Sequence, residues 1–343
     1  MTSSPVEQVV TVRGRPRYEG SNICTWIGFK HVMYLVEEAV LEAVRQTTPG
    51  AQALFEADGL GVDIVDSDAR ILTALHIDDV ARTEVTRQPD DGSGELAFRA
   101  VSWLDRPGRA PVKAVTAKVR VVLRRVTGPP DAPPVPAELS AWTVPEIRRA
   151  PTSAPPRPSH GRRAGAAATT TGRGVVGAAD ETARSLLAGS NALVWKWRIP
   201  YFYCHFTERI QHSGYLRIME EVVDLFLADR GISIRRMLTD QKWIPVVPQA
   251  RVEILREALM EEELYTVFTV EDVFKDLTYT ARMDCYVLRD DELVQTATGR
   301  ITHGYALILD RHDWEVVPFD ERTMAALRGE PAPAANGDAP WTS

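Results

Sequence analysis

The stretch Thr207 to Glu221 reads TERIQHSGYLRIMEE, a polar approach that turns into an apolar periodicity running on through VVDLFL. Leu216, Met219, Val223 and Leu227 fall at helical spacing, as expected for a helix with one buried face. An apolar and aromatic run, ALVWKWRIPYFY, precedes it. A shift of 183 residues, the distance from Tyr18 to Tyr201, finds the same layout in the first half, with Arg15 falling on Arg198 and Glu37-Glu38 on Glu220-Glu221. There VVTVRGRPRY precedes TWIGFKHVMYLVEEAVLEAVR, which carries Val32, Leu35, Val36, Ala39, Val40 and Ala43 on one broad face. Strand-like runs follow each helix, near 74–87, 94–104 and 111–126 in the first half and near 246–255, 264–273, 277–288 and 293–309 in the second. One long helix followed by antiparallel strands predicts an α+β unit whose helix lies along one face of a curved sheet. Its recurrence predicts a duplication.

Between the halves, from about 127 to 190, the composition shifts to Pro, Ala, Gly, Thr and Arg, with PPDAPPVP and PTSAPPRPSHGRRAGAAATTTGRG. Such a stretch buries too little apolar surface to offset its ordering entropy. The expected layout is a first unit over 1–149, a disordered linker over 150–188, a second unit over 189–330 and a disordered tail over 331–343. Pro136 to Arg149 predicts a short helix closing the first unit, and Pro318 to Arg328 one closing the second, so the halves are expected to end alike.

At 343 residues the chain has room for two domains, and its 44% hydrophobic content is ordinary for globular proteins. A net charge of -7 argues against a partner bound through its phosphate backbone, so no nucleic acid is expected. Cys24, Cys204 and Cys285 form no close pair and no C-x-x-C, which points away from disulfides and zinc and towards a reducing cytoplasm. Residues Met1 to Arg17 hold no apolar signal-peptide core, and no run has the roughly 18 apolar residues of a spanning helix, so no membrane insertion is expected. No G-x-G-x-x-G follows a strand-like run, and P-loop, H-E-x-x-H and G-x-S-x-G patterns are absent from the sequence.

The segment Thr207 to Glu221 resembles the hot-dog thioesterase family, notably its 4-hydroxybenzoyl-CoA thioesterase type, whose motif runs D-x-x-G-x-V-x-x-x-x-Y-L-x-x-x-E-E. Tyr215-Leu216 and Glu220-Glu221 fall on its YL and EE positions, while His205 stands at the aspartate and Glu208 at the glycine. In the first half Asn22 stands at the aspartate. The resemblance implies two tandem hot-dog domains, each a curved antiparallel sheet around one long central helix, paired through their sheets as a pseudo-dimer within one chain. Further homodimerisation is left open. Thioester sites are then expected at the seams between the two central helices. The differences between Asn22 and His205, and between Phe29 and His212, are what divergence of two such sites would look like.

With neither half keeping the aspartate, the family's usual mechanism does not carry over, and other groups are nominated. The resemblance implies that backbone N–H groups at the helix starts, Gly28 to Val32 and Gln211 to Tyr215, polarise the thioester carbonyl. Glu37 and Glu220 each lie fifteen residues beyond Asn22 and His205, as in the branch that uses a helix glutamate as base or nucleophile, with Asn22 holding the carbonyl or the water. An imidazole exchanges protons near neutral pH, so His205 paired with Glu220 would resemble the hot-dog dehydratases instead. The catalytic candidates are therefore Asn22, Glu37, His205 and Glu220, and the substrate-binding candidates Thr25, His31, Tyr34, Gln211, His212 and Tyr215. Plainer readings stand beside these: one glutamate of each pair as a solvated surface residue, His31 and His212 as partners of local backbone, and His205 as a core histidine. Trp195, Trp197 and Tyr201 to Tyr203 read as core or interface, and His76 and His303 as structural.

The expected function is hydrolysis of an acyl thioester of coenzyme A or an acyl carrier protein, in bacterial specialised (polyketide-type) or fatty-acyl metabolism. The alternatives are a dehydratase, an acyl-transfer enzyme and a non-catalytic acyl-binding protein. No metal or bound cofactor is expected, since CoA or phosphopantetheine arrives as part of the substrate.

Overall fold

In the first half, β1 (Val9–Gly14) leads through a 3-10 turn (Tyr18–Gly20) into the long helix α1 (Phe29–Thr47) and the short α2 (Ala51–Asp58). Four strands follow, β2 (Leu60–Ile71), β3 (Ala81–Arg87), β4 (Leu96–Leu104) and β5 (Val112–Arg125), then a 3-10 turn (Ala137–Trp142) and β6 (Thr143–Val144). A connecting region holds β7 (Thr169–Thr171), β8 (Gly174–Val176) and α3 (Glu181–Leu187). The second half runs β9 (Ala192–Arg198), a 3-10 turn (Tyr201–Tyr203), β10 (Cys204–His205), β11 (Arg209–Ile210), α4 (His212–Asp229) and α5 (Ile234–Gln241). It ends with β12 (Trp243–Ile254), β13 (Glu263–Phe274), β14 (Thr278–Arg289), β15 (Glu292–Ile308), β16 (Trp314–Val317) and α6 (Glu321–Arg328). This computed structural model describes residues 9–126, 134–151, 168–188, 190–311 and 313–330.

The strand order is β1-β3-β4-β5-β2 in one half and β9-β13-β14-β15-β12 in the other, so the two halves share one topology. Antiparallel pairing of β2 with β12 fuses the two sheets into one of 14 strands. The Asp68 and Arg251 pair at its centre lies on a pseudo-two-fold axis, because these positions are themselves related by the 183-residue shift. The register holds in the loops as well. Ile27 N–H donates to Leu75 O as Ile210 N–H does to Ala258 O, and Gly28 N–H to Gly20 O as Gln211 N–H does to Tyr203 O.

Each long helix packs on its own sheet. Val32, Met33, Val36, Ala39, Val40, Ala43 and Val44 of α1 are buried, as are Leu216, Met219, Val223 and Leu227 of α4. Covering a side chain of this size contributes about 1.5–3 kcal/mol relative to leaving it exposed. The two helices also touch each other, and α4 reaches β2 of the first half, so side chains from both halves meet at two symmetry-related seams.

Three expectations are corrected. The acidic LGVDIVDSDARI forms β2, which the sequence reading left without a strand, while 74–80 is loop. Alternation does not announce β2, since its first eight residues are all buried, including Asp63, Asp66 and Ser67. Part of the expected linker is ordered: β7 and β8 extend the edge beyond β9, and Asp180 caps α3 by accepting the Ala183 N–H at 2.7 Å. The rest of that linker, 152–167, and the tail over 331–343 lie outside the described residues. Nor do the halves end alike. The first ends in a 3-10 turn and a parallel bridge from β6 to β5, the second in antiparallel β16 and the α-helix α6.

Candidate active site

Symmetry-related positions build two different seams. At the first, the loop before α1 brings Asn22 and the start of the helix against the third turn of α4, which carries Glu220. The Asn22 and Glu220 side chains sit over Gly28, where a Cβ would lie 3.3 Å from Asn22 Nδ2 and 3.6 Å from Glu220 Oε1. Both groups thus converge on one point beside the first amides of α1, which have no carbonyl of their own helix to bond. Lys30, the second residue of that helix, pins the Glu220 carboxylate at 2.6 Å. The Asn22 backbone is fixed by its N–H to Trp26 O at 2.7 Å. Behind these groups opens a cavity of about 540 Å³ with a mainly apolar wall that includes Trp26, Phe29, Leu72, Val223, Ile234 and Val246. Asp224 stands on its wall, its carboxyl raised by partial burial and by the nearby charge of Glu220.

At the second seam the same backbone carries a buried polar network. Arg209, 2% exposed, occupies the position of Trp26 and forks onto Asp63 at 3.0 and 2.6 Å; Asp63 occupies the position of Val246. His205, the counterpart of Asn22, donates from Nε2 to Asp63 Oδ1 at 2.9 Å. Burial alone would raise the Asp63 carboxyl, but the imidazole and guanidinium outweigh it and hold it below the ordinary carboxylate range. Gly61 makes room for this plug, since a Cβ there would overlap the Arg209 guanidinium. Deeper in, His212 links Glu37 and Ser67: Nδ1 lies 2.7 Å from Glu37 Oε2 and Nε2 lies 2.6 Å from Ser67 Oγ. With Nδ1–H donating to the carboxylate, Nε2 accepts the serine hydroxyl, the connectivity that activates a nucleophilic serine. Yet the cavity beside Ser67 measures about 10 Å³. That is about the room one water needs.

The structure pairs the nominated residues differently from the sequence reading. Glu220 lies with Asn22 across the halves, and His205 lies with Asp63, so the expected pairing of His205 with Glu220 is replaced. Glu37 and His212 meet at the closed seam. The other substrate-binding candidates lie away from the large cavity. Thr25 Oγ1 contacts His76 Nδ1 at 2.9 Å, and His31 is buried edge-on against Tyr34, its imidazole lowered in pKa by burial. Tyr34 donates to Ser213 O at 3.3 Å and accepts from its symmetry mate Arg217 at 3.1 Å, while burial pushes its hydroxyl up to about 12. Gln211 stands at the N-cap position of α4 without a side-chain capping bond and lines a separate, arginine-rimmed cleft with His31, Tyr34, Glu37 and Arg217; Tyr215 is wholly buried core. Sequence reasoning missed Lys30, Asp63, Ser67, Arg209 and Asp224. Asp224, one helical turn beyond Glu220, was the one whose spacing could have revealed it. Among the described residues no group of three or more His, Cys, Asp or Glu is placed to hold a metal ion.

Residues 195–327 match the family model described as the thioesterase-like superfamily. No curated protein has a matching sequence. Among solved structures, a protein assigned as an oleoyl thioesterase of Lactobacillus plantarum superposes with a TM-score of 0.52 at 11% identity, covering 92% of this chain and 99% of its own. The 12:0-ACP thioesterase of Umbellularia californica superposes with a TM-score of 0.55 at 9% identity, covering 86% of this chain and 93% of its own. At such identities these neighbours speak to the fold, and they do so over both halves. The chain has a tandem hot-dog fold, and its second half matches the model of the thioesterase-like superfamily.

Proposed function

We propose that the protein hydrolyses an acyl thioester of coenzyme A or an acyl carrier protein at the open seam. The observation that carries this reading is the convergence of Asn22 and Glu220, from opposite halves, on the space over Gly28 at the mouth of the 540 Å³ apolar cavity. The acyl chain enters the cavity and its carbonyl lies over Gly28, with the oxygen towards the first amides of α1 and the positive end of the helix. Glu220 takes a proton from a water held by Asn22, and the resulting hydroxide adds to the carbonyl carbon. The carbon–sulfur bond then breaks, the thiol leaves with a proton, and the carboxylic acid remains. Lys30 holds the Glu220 carboxylate in place throughout.

The two thioesterases among the structural neighbours and the superfamily match of the second half support this reading. No metal or bound cofactor takes part in the steps above. No helix among the described residues is long and apolar enough to cross a membrane. A cytoplasmic setting fits the free cysteines. The Ala- and Arg-rich composition and the Pro/Ala-rich linker fit a bacterial enzyme of specialised (polyketide-type) or fatty-acyl metabolism.

The test is incubation with a panel of acyl-CoA and acyl-carrier substrates while following free thiol and product mass. Hydrolysis releases thiol. Loss of water from the acyl group without thiol release would mean dehydration instead, and binding with neither change would leave an acyl-binding protein.

A further inference from the structure

Asp224 stands one turn beyond Glu220 in α4, and Glu220, Val223 and Asp224 all line the open cavity, so this face of the helix is turned towards it. Asp224 is exposed, and a molecule entering the cavity is able to reach its carboxyl group. The neighbouring glutamates are engaged, Glu220 by Lys30 at 2.6 Å and Glu221 by Arg173 at 3.1 Å. Among the described residues no group forms a hydrogen bond or an ion pair with Asp224. The related position in the first half is Leu41, packed against the core, so the long helix does not need a carboxylate at this point. Asp224 is therefore a polar group without a partner in a lining that includes Leu72, Val223, Ile234 and Val247.

As a carboxylate, Asp224 only accepts hydrogen bonds. A hydrocarbon chain filling the cavity displaces the water on that side and puts no donor in its place, which disfavours binding. Partial burial and the charge of Glu220 already raise the carboxyl pKa, so the charged form is short of favourable partners before any chain arrives. A hydroxyl or an amino group on the chain supplies the missing donor. A site built to bond a substrate hydroxyl discriminates strongly against the analogue that lacks it. Four residues along an α-helix span about 6 Å. With the reacting carbonyl beside Glu220, the donor belongs within the first few carbons beyond it.

We propose that Asp224 is a specificity residue, through which the cavity selects acyl chains carrying a hydrogen-bond donor close to the carbonyl over unsubstituted chains of the same length. This specificity rests on the open-seam reading for the placement of the carbonyl and on the hydrolase reading for its turnover, but not for its binding, and the experiment separates the two. Dissociation constants are measured at pH 8 for decanoyl-CoA analogues in which a methylene separates the carbonyl from the sulfur. They are plain, or carry a hydroxyl or a methoxy group at one of carbons 3 to 6, or an amino group at carbon 3. The methoxy group accepts but does not donate. Thiol release is followed with decanoyl-CoA and 3-hydroxydecanoyl-CoA. The same set is run on Asp224→Leu, which installs the residue of the related position, and on Asp224→Asn as a second variant should the first fail to fold.

The expected result is that at least one hydroxyl or amino analogue binds the wild type about tenfold more tightly than the plain chain, and that the methoxy counterpart does not. In Asp224→Leu that preference disappears and the plain chain gains. In Asp224→Asn, which keeps an acceptor oxygen without the charge, part of the hydroxyl preference remains. Equal preference in wild type and variants, a methoxy gain equal to the hydroxyl gain, preference for the plain chain, or no binding of any chain overturns the proposal. An Asp224-dependent binding preference without thiol release leaves this proposal standing and removes the hydrolase reading. Thiol release with no preference does the reverse.

Discussion

The two seams of this molecule share a backbone, a register and a hydrogen-bonding frame, yet the first opens on about 540 Å³ while about 10 Å³ lies beside Ser67 and His212 of the second. The difference lies in a few substitutions between related positions. Asn22, Trp26, Phe29 and Val246 line the open seam. His205, Arg209, His212 and Asp63 fill the closed one with hydrogen-bonded polar groups. Once duplicated within one chain, the halves no longer had to present identical seams, so one side was free to become polar core. The comparison teaches that reactive-looking connectivity is not enough. Ser67, His212 and Glu37 are joined as in a serine hydrolase, but only about 10 Å³ lies beside Ser67 and His212, while the more loosely arranged Asn22 and Glu220 have room and an apolar wall.

The sharpest way to break this contrast is to remove each helix glutamate in turn. Glu220→Gln is expected to lower thiol release by about 10²–10⁴-fold, the range for a lost general base. Glu37→Gln is expected to change it only a few-fold. Comparable losses in both variants would mean that both seams work.

Asp63→Asn tests the closed seam as structure. It leaves the Arg209 guanidinium, 2% exposed, without its counter-charge. Breaking one partner of a buried pair costs about 3–5 kcal/mol. The urea midpoint should fall accordingly, with turnover by the remaining folded protein retained. Because the folded Asp63 pKa is depressed, its stabilisation is present above the unfolded carboxylate value and is lost as pH falls through the lower folded value. Acid sensitivity of the wild type in that low range should therefore be blunted in the variant.

His303 gives the second half its own pH signature. Its folded pKa of about 3 lies below the ordinary 6.5, so the unfolded chain binds the proton more readily and stability declines as pH falls from about 6.5 towards 3. One such proton contributes a slope of about 1.4 kcal/mol per pH unit within that window. His303→Phe should show a shallower decline there in a series of urea melts, and an unchanged slope would place the effect elsewhere. The smallest effect is expected from Ser67→Ala, which removes the hydroxyl bonded to His212 Nε2. About 1–3 kcal/mol of stability should be lost, with turnover per folded molecule within about twofold of wild type. A large loss of turnover would reopen the second seam as a site.

How far the sequence carried these conclusions differs between the long helices and the strands at the fusion. Helix periodicity, the paired glutamates and the 183-residue shift were enough to read the duplication, because each depends on neighbours close along the chain. β2 was not readable. Its aspartates are buried against arginines that follow at 146 and 185 residues' distance, so an interior strand looked like an acidic loop. The same distance hid which carboxylate faces which polar residue. Spacing within a half linked Asn22 to Glu37, whereas the fold exchanges partners and brings Glu220 to Asn22. His303 was read as structural because a strand histidine gives no hint of a missing partner. Only the two unsatisfied nitrogens show it.

The most direct test of the open-seam account is a crystal structure with a non-hydrolysable acyl-CoA in which a methylene separates the carbonyl from the sulfur. The account predicts an acyl chain inside the cavity lined by Trp26 and Val223, with the carbonyl over Gly28 and within reach of Asn22 and Glu220. Density for the acyl group beside His212 and Ser67, with the Arg209–Asp63 plug displaced, would contradict it.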